Sequence, residues 1–310
     1  MAGYGVDFSI PHFRGIFPGD TYYSMLLLMY CFGVLDVSSS PEDFHCYGYT
    51  EALGRKCGNA VVSLIMMSLK RLGLINRGSR GMRLSIIMDS KYCQVHNGHV
   101  VQLALLLVEL SYFQAVEFIF YIDGHRNYIC DNMFKRLNKT YQDSNVFNME
   151  VLFNLFNQLD NITYHNVAME SLYDYKQFLS RFYQNVAPET LEHNNFYQVE
   201  YSHPTTMCSM SYYNVNTNEV MKYDHLIEMN DRHNQLMNAL ENLTTLVVPG
   251  VLPMKQVELW RTWGQCIPED QQHYLCPPPP DEVLHLVESR IMSNITNNNK
   301  KRQRNDLFCR

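Results

Sequence analysis

Between Leu84 and Tyr141 two short apolar runs alternate with two longer helical patterns, and few folds accept that order. Leu84 to Met88 and Ala115 to Ile122 are continuous apolar runs of strand length, the second closed by Asp123-Gly124. Runs this short and this apolar fit strands buried on both faces. Gly98 to Leu110 is a strongly apolar helix, and Arg126 to Tyr141 a helix with Ile129, Met133, Leu137 and Tyr141 on one side. Upstream, a short strand runs from about Tyr4 to Ile10, and Pro18-Gly19-Asp20 marks a turn. A long strand follows over Tyr22 to Val37, then a shorter one over His45 to Thr50. Asn59 to Leu72 carries Val61, Val62, Ile65, Met66, Leu69 and Leu72 at amphipathic helical spacing. The order is β-β-β-α-β-α-β-α. A meander followed by strands alternating with helices implies an α/β fold with a mixed sheet covered by helices.

The chain divides by pattern into three parts. Residues 1–142 hold the clear alternation and form the expected core. Residues 143–276 read as an accessory α+β region packed on that core, with helices over Met149 to Leu159, Leu172 to Tyr183 and Lys255 to Trp263, and strands over Phe196 to Tyr201 and Met207 to Tyr213. Residues 277–310 give a proline spacer at Pro277 to Pro280, a short helix over Glu282 to Ile291 and a polar, basic tail expected to be disordered.

Several function classes are disfavoured. Met1 is followed by no basic and then apolar leader, so a secreted protein is not expected. Ser24 to Leu35 is too short for a bilayer helix, and Gln102, Glu109, Gln114 and Glu117 interrupt the longer stretch from Val100 to Ile122. Nine scattered cysteines form no Cys-x-x-Cys pair, which leaves a zinc ribbon or redox motif unsupported and buried thiols in a reducing compartment expected. Cys93, His96 and His99 lack the second pair a zinc site needs. A formal net charge of −6 argues against broad affinity for nucleic acid.

Three acids stand out against this frame. Asp7 lies in Val6-Asp7-Phe8-Ser9-Ile10, Asp89 ends the run Leu84 to Asp89, and Asp131 lies within the helix read over Arg126 to Tyr141. Carboxylates at the ends of buried strands are costly unless their charge is compensated, and hard divalent cations with oxygen ligands are the usual compensation. At roughly 100° per residue, Asp131 lies about 60° outside the apolar stripe of its helix and is free to point along the sheet. The strands of Asp7 and Asp89 can be neighbours in a mixed sheet of this order. Two strand acids and one helix acid would hold a pair of metal ions for cutting or joining phosphodiester bonds. Asp36 and Asp123 also end strands and read as turn residues.

The motifs around these acids resemble the ribonuclease H-like catalytic core of DDE transposases and retroviral-type integrases. They are most similar to transposase-derived eukaryotic families that carry Asp-Asn-Cys-x-x-Gln-Asn-Lys-Asn after the central strand and Gly-His-Thr after the next. In Asp89-Ser90-Lys91-Tyr92-Cys93-Gln94-Val95-His96-Asn97, the positions Asp89, Gln94 and Asn97 match in register, while Ser90, Lys91, Cys93, Val95 and His96 depart. In the second motif Gly124, His125, Cys130, Asp131 and Phe134 fit. Val6-Asp7-Phe8, Phe17-Pro18-Gly19 and Phe32-Gly33-Val34 resemble the family's first catalytic strand and hairpin. The likeness covers roughly residues 4–142 well and continues loosely through Leu252-Pro253-x-Lys255 and Trp260 to Ile267-Pro268-Glu269.

By this resemblance Asp7, Asp89 and Asp131 would bind two Mg²⁺ or Mn²⁺ ions. His125 would contact the scissile phosphate or orient Asp131; Lys91, Gln94, Asn97 and Arg126 would contact phosphate or DNA, or fix the loops. The expected activity is metal-dependent cleavage or strand transfer on DNA. Only six residues precede Asp7, so no upstream DNA-reading module is expected in this chain, and DNA binding is expected to be weak. The alternative is a domesticated or decaying transposase remnant without turnover, acting only as an interaction protein. A nucleotide-binding α/β domain is disfavoured, because no glycine-rich phosphate loop follows a strand. Lys300-Lys301-Arg302-Gln303-Arg304 reads as a nuclear address or a DNA-contacting arm, giving a nuclear or cytoplasmic location.

Overall fold

The computed structural model describes residues 1–15, 25–38, 43–75, 81–89, 98–121, 129–168, 171–185, 196–202, 207–214, 219–223, 226–272, 278–285 and 287. Its first strand comes in two pieces, β1 (Ala2–Tyr4) and β2 (Phe8–Ile10), both antiparallel to β3 (Leu27–Asp36). The sequence predicts one strand from Tyr4 to Ile10, and the register explains the break. Tyr4 lies opposite Phe32 and Phe8 opposite Met29, so four steps on one side meet three on the other. One residue is extra, which is a β-bulge. The bulge also reverses the alternation of faces: Ala2 and Tyr4 pack in one core cluster, Phe8 and Ile10 in the other.

β3 pairs with β4 (Asp43–Thr50), and the chain then crosses through α1 (Gly58–Arg71) to β5 (Arg83–Asp89) on the far side of β1. α2 (Gly98–Glu109) leads to β6 (Ala115–Tyr121), parallel to β5, and α3 (Ile129–Gln142) follows. The predicted order of these elements is present. The predicted strand from Tyr22 is shorter at its start, and residues 16–24 lie outside the described ones. Strands of both directions and the helices make a mixed α/β fold.

The region after Gln142 extends the same sheet at both ends. α4 (Met149–Phe156) is followed by β7 (Ile162–Asn166), which adds to β4 in parallel. After α5 (Tyr175–Leu179), the antiparallel strands β8 (Phe196–Ser202), β9 (Met207–Asn214) and β10 (Glu219–Tyr223) add beyond β6. The described strands thus run β10-β9-β8-β6-β5-β1-β3-β4-β7, with β2 continuing β1 along β3. α6 (Arg232–Glu241) and α7 (Pro253–Glu258) come next, and a π-helical turn over Leu259–Trp263 continues α7. Residues 281–285 are helical, and the basic tail lies outside the described residues.

Two apolar layers cover the sheet. α1 and α2 bury Val61, Leu64, Val101 and Leu105 against Tyr4, Phe32, Tyr47 and Tyr49. On the other face α3, α4 and Trp263 pack on Phe8, Cys31, Phe44 and Tyr164. β3 and β4 alternate cleanly between the layers, as period-two strands buried on both faces must. The polar residues interrupting α2 are hydrogen-bonded. Buried Gln102 donates to the carbonyl of Gln184 at 2.8 Å, and Glu109 receives a two-pronged pair from Arg232 at 2.7 and 2.9 Å. Among the described residues no helix is long and apolar enough to cross a membrane.

Candidate active site at the bulge between β1 and β2

Asp7 sits in the bulge. Ser9 alternates with Phe8 and Ile10, which face the α3 layer, so the residues flanking Phe8 are turned toward the α1 layer. There the Asp7 carboxylate meets Lys56, from the turn before α1, at 2.5 Å. The Lys56 side chain is only 12% exposed, against 40% for Asp7. Its ammonium stands 5.1 Å from the Tyr4 ring centre and 5.3 Å from that of Tyr30. Its stem is therefore packed on aromatic surface while its head reaches the carboxylate. Tyr4 and Tyr49 share a hydroxyl hydrogen bond of 2.5 Å below this group. Burial raises the pKa of both phenols, so they remain neutral hydrogen-bonding groups at ordinary pH.

Asp89 is the last residue of β5, opposite Tyr121 of β6. β1 runs parallel to β5, and Ala2 lies opposite Met88. In that register Gly3 is level with Asp89, and Asp7 lies four residues further along. Four residues of regular strand span about 13 Å, and the bulge shortens that distance. Asp7 and Asp89 thus both follow the ends of neighbouring parallel strands, but at different heights.

Asp131 lies half-buried in the first turn of α3, where a carboxylate is favoured by the helix dipole. Its helix is fixed under the bulge by two aromatic side chains. An added Cβ at Gly5 would fall 2.2 Å from the Phe134 ring, and one at Gly33 would fall 2.6 Å from it. Those glycines are what let the ring lie flat against the sheet. Tyr141 donates to the carbonyl of Ser9 at 2.5 Å and tilts against Phe8. Of the predicted stripe, Leu137 and Tyr141 are buried and Met133 partly so, with Cys130 and Phe134 buried beside them. α3 lies on the face opposite α1, so Asp7 and Asp131 approach the sheet from opposite sides.

The three acids therefore sit on neighbouring elements of one sheet, with Asp7 and Asp89 at different heights and Asp7 and Asp131 on opposite faces. Among the described residues, no group of three or more His, Cys, Asp or Glu is placed to hold a metal ion. Lys91, Gln94, Asn97, His125 and Arg126 lie outside the described residues. Lys56 was not singled out by sequence reasoning. Its only signal is a basic residue in Gly54-Arg55-Lys56-Cys57 ahead of a helix, which does not reveal which face of β1 it meets.

A second polar cluster sits at the β4–β7 junction. His45 Nδ1 and His165 Nε2 are 3.0 Å apart with their rings stacked, and His45 Nε2 lies 3.1 Å from Asp43. Burial, then the nearby Arg71 and His45, lowers the His165 pKa to about 4. The ring is neutral near pH 7.

A family profile described as "Domain of unknown function (DUF7869)" matches residues 24–218. No curated protein and no solved structure matches the chain.

Proposed function

We propose that this chain, which belongs to the DUF7869 family, is a ribonuclease H-like nuclease or transposase core that cuts or joins phosphodiester bonds in DNA. The observation that carries the reading is topological. An interrupted first strand lies between an antiparallel pair and two parallel strands reached through helices, and a third helix returns on the opposite face. Asp7, Asp89 and Asp131 fall on the first strand, the end of the first parallel strand and the start of that last helix. A fold alone does not establish chemistry, and the reading rests on the placement of these acids.

The donor set suits Mg²⁺ or Mn²⁺, being made of carboxylate oxygens, one of them open to solvent. Two such ions, when bound, would activate the attacking water or 3′-hydroxyl and stabilise the leaving oxygen. The chain's own residues supply position. Phe134 and Tyr141 hold α3, and so the backbone at Asp131, against the bulge. Lys56 holds the Asp7 carboxylate in one orientation and neutralises it until a stronger cation competes. The basic run Lys300 to Arg304 supports a nuclear address and a sequence-indifferent phosphate contact.

One observation favours a second reading. The Asp7 carboxylate is already paired with the Lys56 ammonium, as expected of a fold kept for interaction after losing turnover. A supercoiled-plasmid cleavage assay in Mn²⁺ separates the two. Cleavage by the purified chain that disappears in Asp89→Asn supports the nuclease. Equal residual cleavage in wild type and Asp89→Asn assigns the signal to contamination and favours the interaction protein.

A further inference from the structure

We propose that His45 Nδ1 and His165 Nε2 form a two-imidazole site for one exchangeable transition-metal ion of the Zn²⁺ class, which clips the outer strand β7 to β4. The site follows from strand register. β4 and β7 run parallel, with His45 opposite Thr163 and Tyr47 opposite His165. Side chains two residues apart share a face of a strand, so Asp43, His45 and Tyr47 stand in one row and Thr163 and His165 in the next. The two rows bring the imidazole nitrogens to 3.0 Å. Two nitrogens bound to one tetrahedral zinc lie about 3.3 Å apart, so an ion enters with only a small turn of the rings.

The neighbours of the pair supply what ligating imidazoles need. Asp43 lies 3.1 Å from His45 Nε2. It accepts the Nε2 proton, which leaves the His45 lone pair on Nδ1, facing His165. A carboxylate behind a ligating imidazole is the usual outer-shell partner of a metal site. The Tyr47 ring stacks on His165 with centres 4.7 Å apart and holds its plane. With its pKa lowered to about 4 by burial, Arg71 and His45, His165 is neutral near pH 7, the form that binds metal. It also lines an open recess of about 520 Å³ with Arg71, Thr163 and Asn166, a route for the ion from solvent. Two nitrogens are half of a closed structural zinc shell, so water fills the other positions and the ion exchanges. Imidazole suits Zn²⁺, Ni²⁺ and Cu²⁺, whereas Mg²⁺ and Mn²⁺ prefer oxygen. The site is therefore separate in chemistry from the three carboxylates, as it is in place, at the β7 end of the sheet. Arg71, exposed at the end of α1, opposes a cation there and lowers its affinity.

The test titrates the full chain with Zn²⁺ by calorimetry and with Cu²⁺ under electron paramagnetic resonance. A saturable Zn²⁺ site is expected that His45→Gln or His165→Gln weakens at least about tenfold and Asp43→Asn about tenfold. Arg71→Gln is expected to tighten it. The wild-type Cu²⁺ spectrum is expected to show hyperfine splitting from two nitrogens. Zn²⁺ is also expected to slow hydrogen exchange at residues 162–166 of the wild-type chain, as a clip on β7 must. Asp89→Asn is expected to leave Zn²⁺ binding unchanged, which keeps this outcome apart from that of the proposed active site. No saturable binding below millimolar Zn²⁺, or binding that leaves exchange at residues 162–166 unchanged, overturns the proposal without relying on any variant folding; the pair is then a hydrogen bond only. Equal affinity in wild type and both glutamine variants, with native circular dichroism, also overturns it, because other histidines would then hold the ion.

Discussion

The pair formed by Lys56 and Asp7 shows how one side chain sets the state of a candidate catalytic acid. An ion pair with one partner 40% exposed is screened and worth no more than about 1 kcal/mol. If Asp7 is a metal ligand, that is also the extent to which Lys56 competes with the ion. Lys56→Met keeps the packing on Tyr4 and Tyr30 and is expected to tighten Mn²⁺ binding by up to about fivefold. Unchanged or weaker affinity in a calorimetric comparison would remove Asp7 from the ligand set. His165 gives a second residue-scale outcome. Its folded pKa of about 4 lies below the usual 6.5, so between those values the unfolded chain takes up a proton that the folded chain refuses. Stability contributed by neutral His165 is present above pH 6.5 and lost as pH falls toward 4. In His165→Gln, the decline of the melting temperature between pH 6.5 and 4.5 is expected to be shallower than in wild type. An identical decline would place the acid sensitivity elsewhere. The acids were legible in the sequence because they end apolar runs. Lys56, His45 and His165 were not, since the Lys56–Asp7 and His45–His165 contacts form only between segments distant in the chain.

The bulge between β1 and β2 matters most among the elements, because it directs Asp7 away from the core while leaving Phe8 within it. Sequence alternation alone reads Tyr4 to Ile10 as a single strand, and no local signal marks an inserted residue. It becomes visible only against β3, where Tyr4–Phe32 and Phe8–Met29 are out of step. Gly5 beside it is fixed by close approach rather than by backbone angle. Gly5→Ala would press a methyl into the Phe134 ring and is expected to cost about 1–3 kcal/mol in urea unfolding. Phe134→Leu in the same chain is expected to restore part of that loss, since the clash is with the face of the ring. No recovery would mean that the cost lies in the strand itself. Other elements were misjudged for physical reasons. Leu172 to Tyr183 reads as one helix because its apolar residues recur at helical intervals, yet only Tyr175–Leu179 is helical. Leu172, Phe178, Leu179, Phe182 and Tyr183 are nevertheless buried, so the pattern recorded burial rather than a regular helix. β7, with Thr163, His165 and Asn166 among its five residues, carries too little apolar alternation to be read as a strand before β4 supplies its partner.

At the scale of the whole molecule, the element order up to Gln142 was readable because its strands are mostly buried and rich in apolar residues, and its helices carry apolar residues at helical spacing. What lies beyond was less readable because its strands take their places from edges that already exist. β7 covers β4, β8 covers β6, and buried Tyr175, Phe178 and Phe182 close the layer over α1 and α2. The proposed catalytic elements are central in a sheet whose edges come from later in the chain. That arrangement places the β1–β2 bulge, the end of β5 and the start of α3 on a rigid frame, as a site needing fixed carboxylates requires. The central claim is that these carboxylates form one cation site. Titration calorimetry of Mn²⁺ into the wild-type chain and into Asp89→Asn tests it most directly. The account predicts weak, saturable binding in wild type that is largely lost in Asp89→Asn, because three carboxylates leave several coordination positions to water and phosphate. Equal affinity in the two proteins would contradict it.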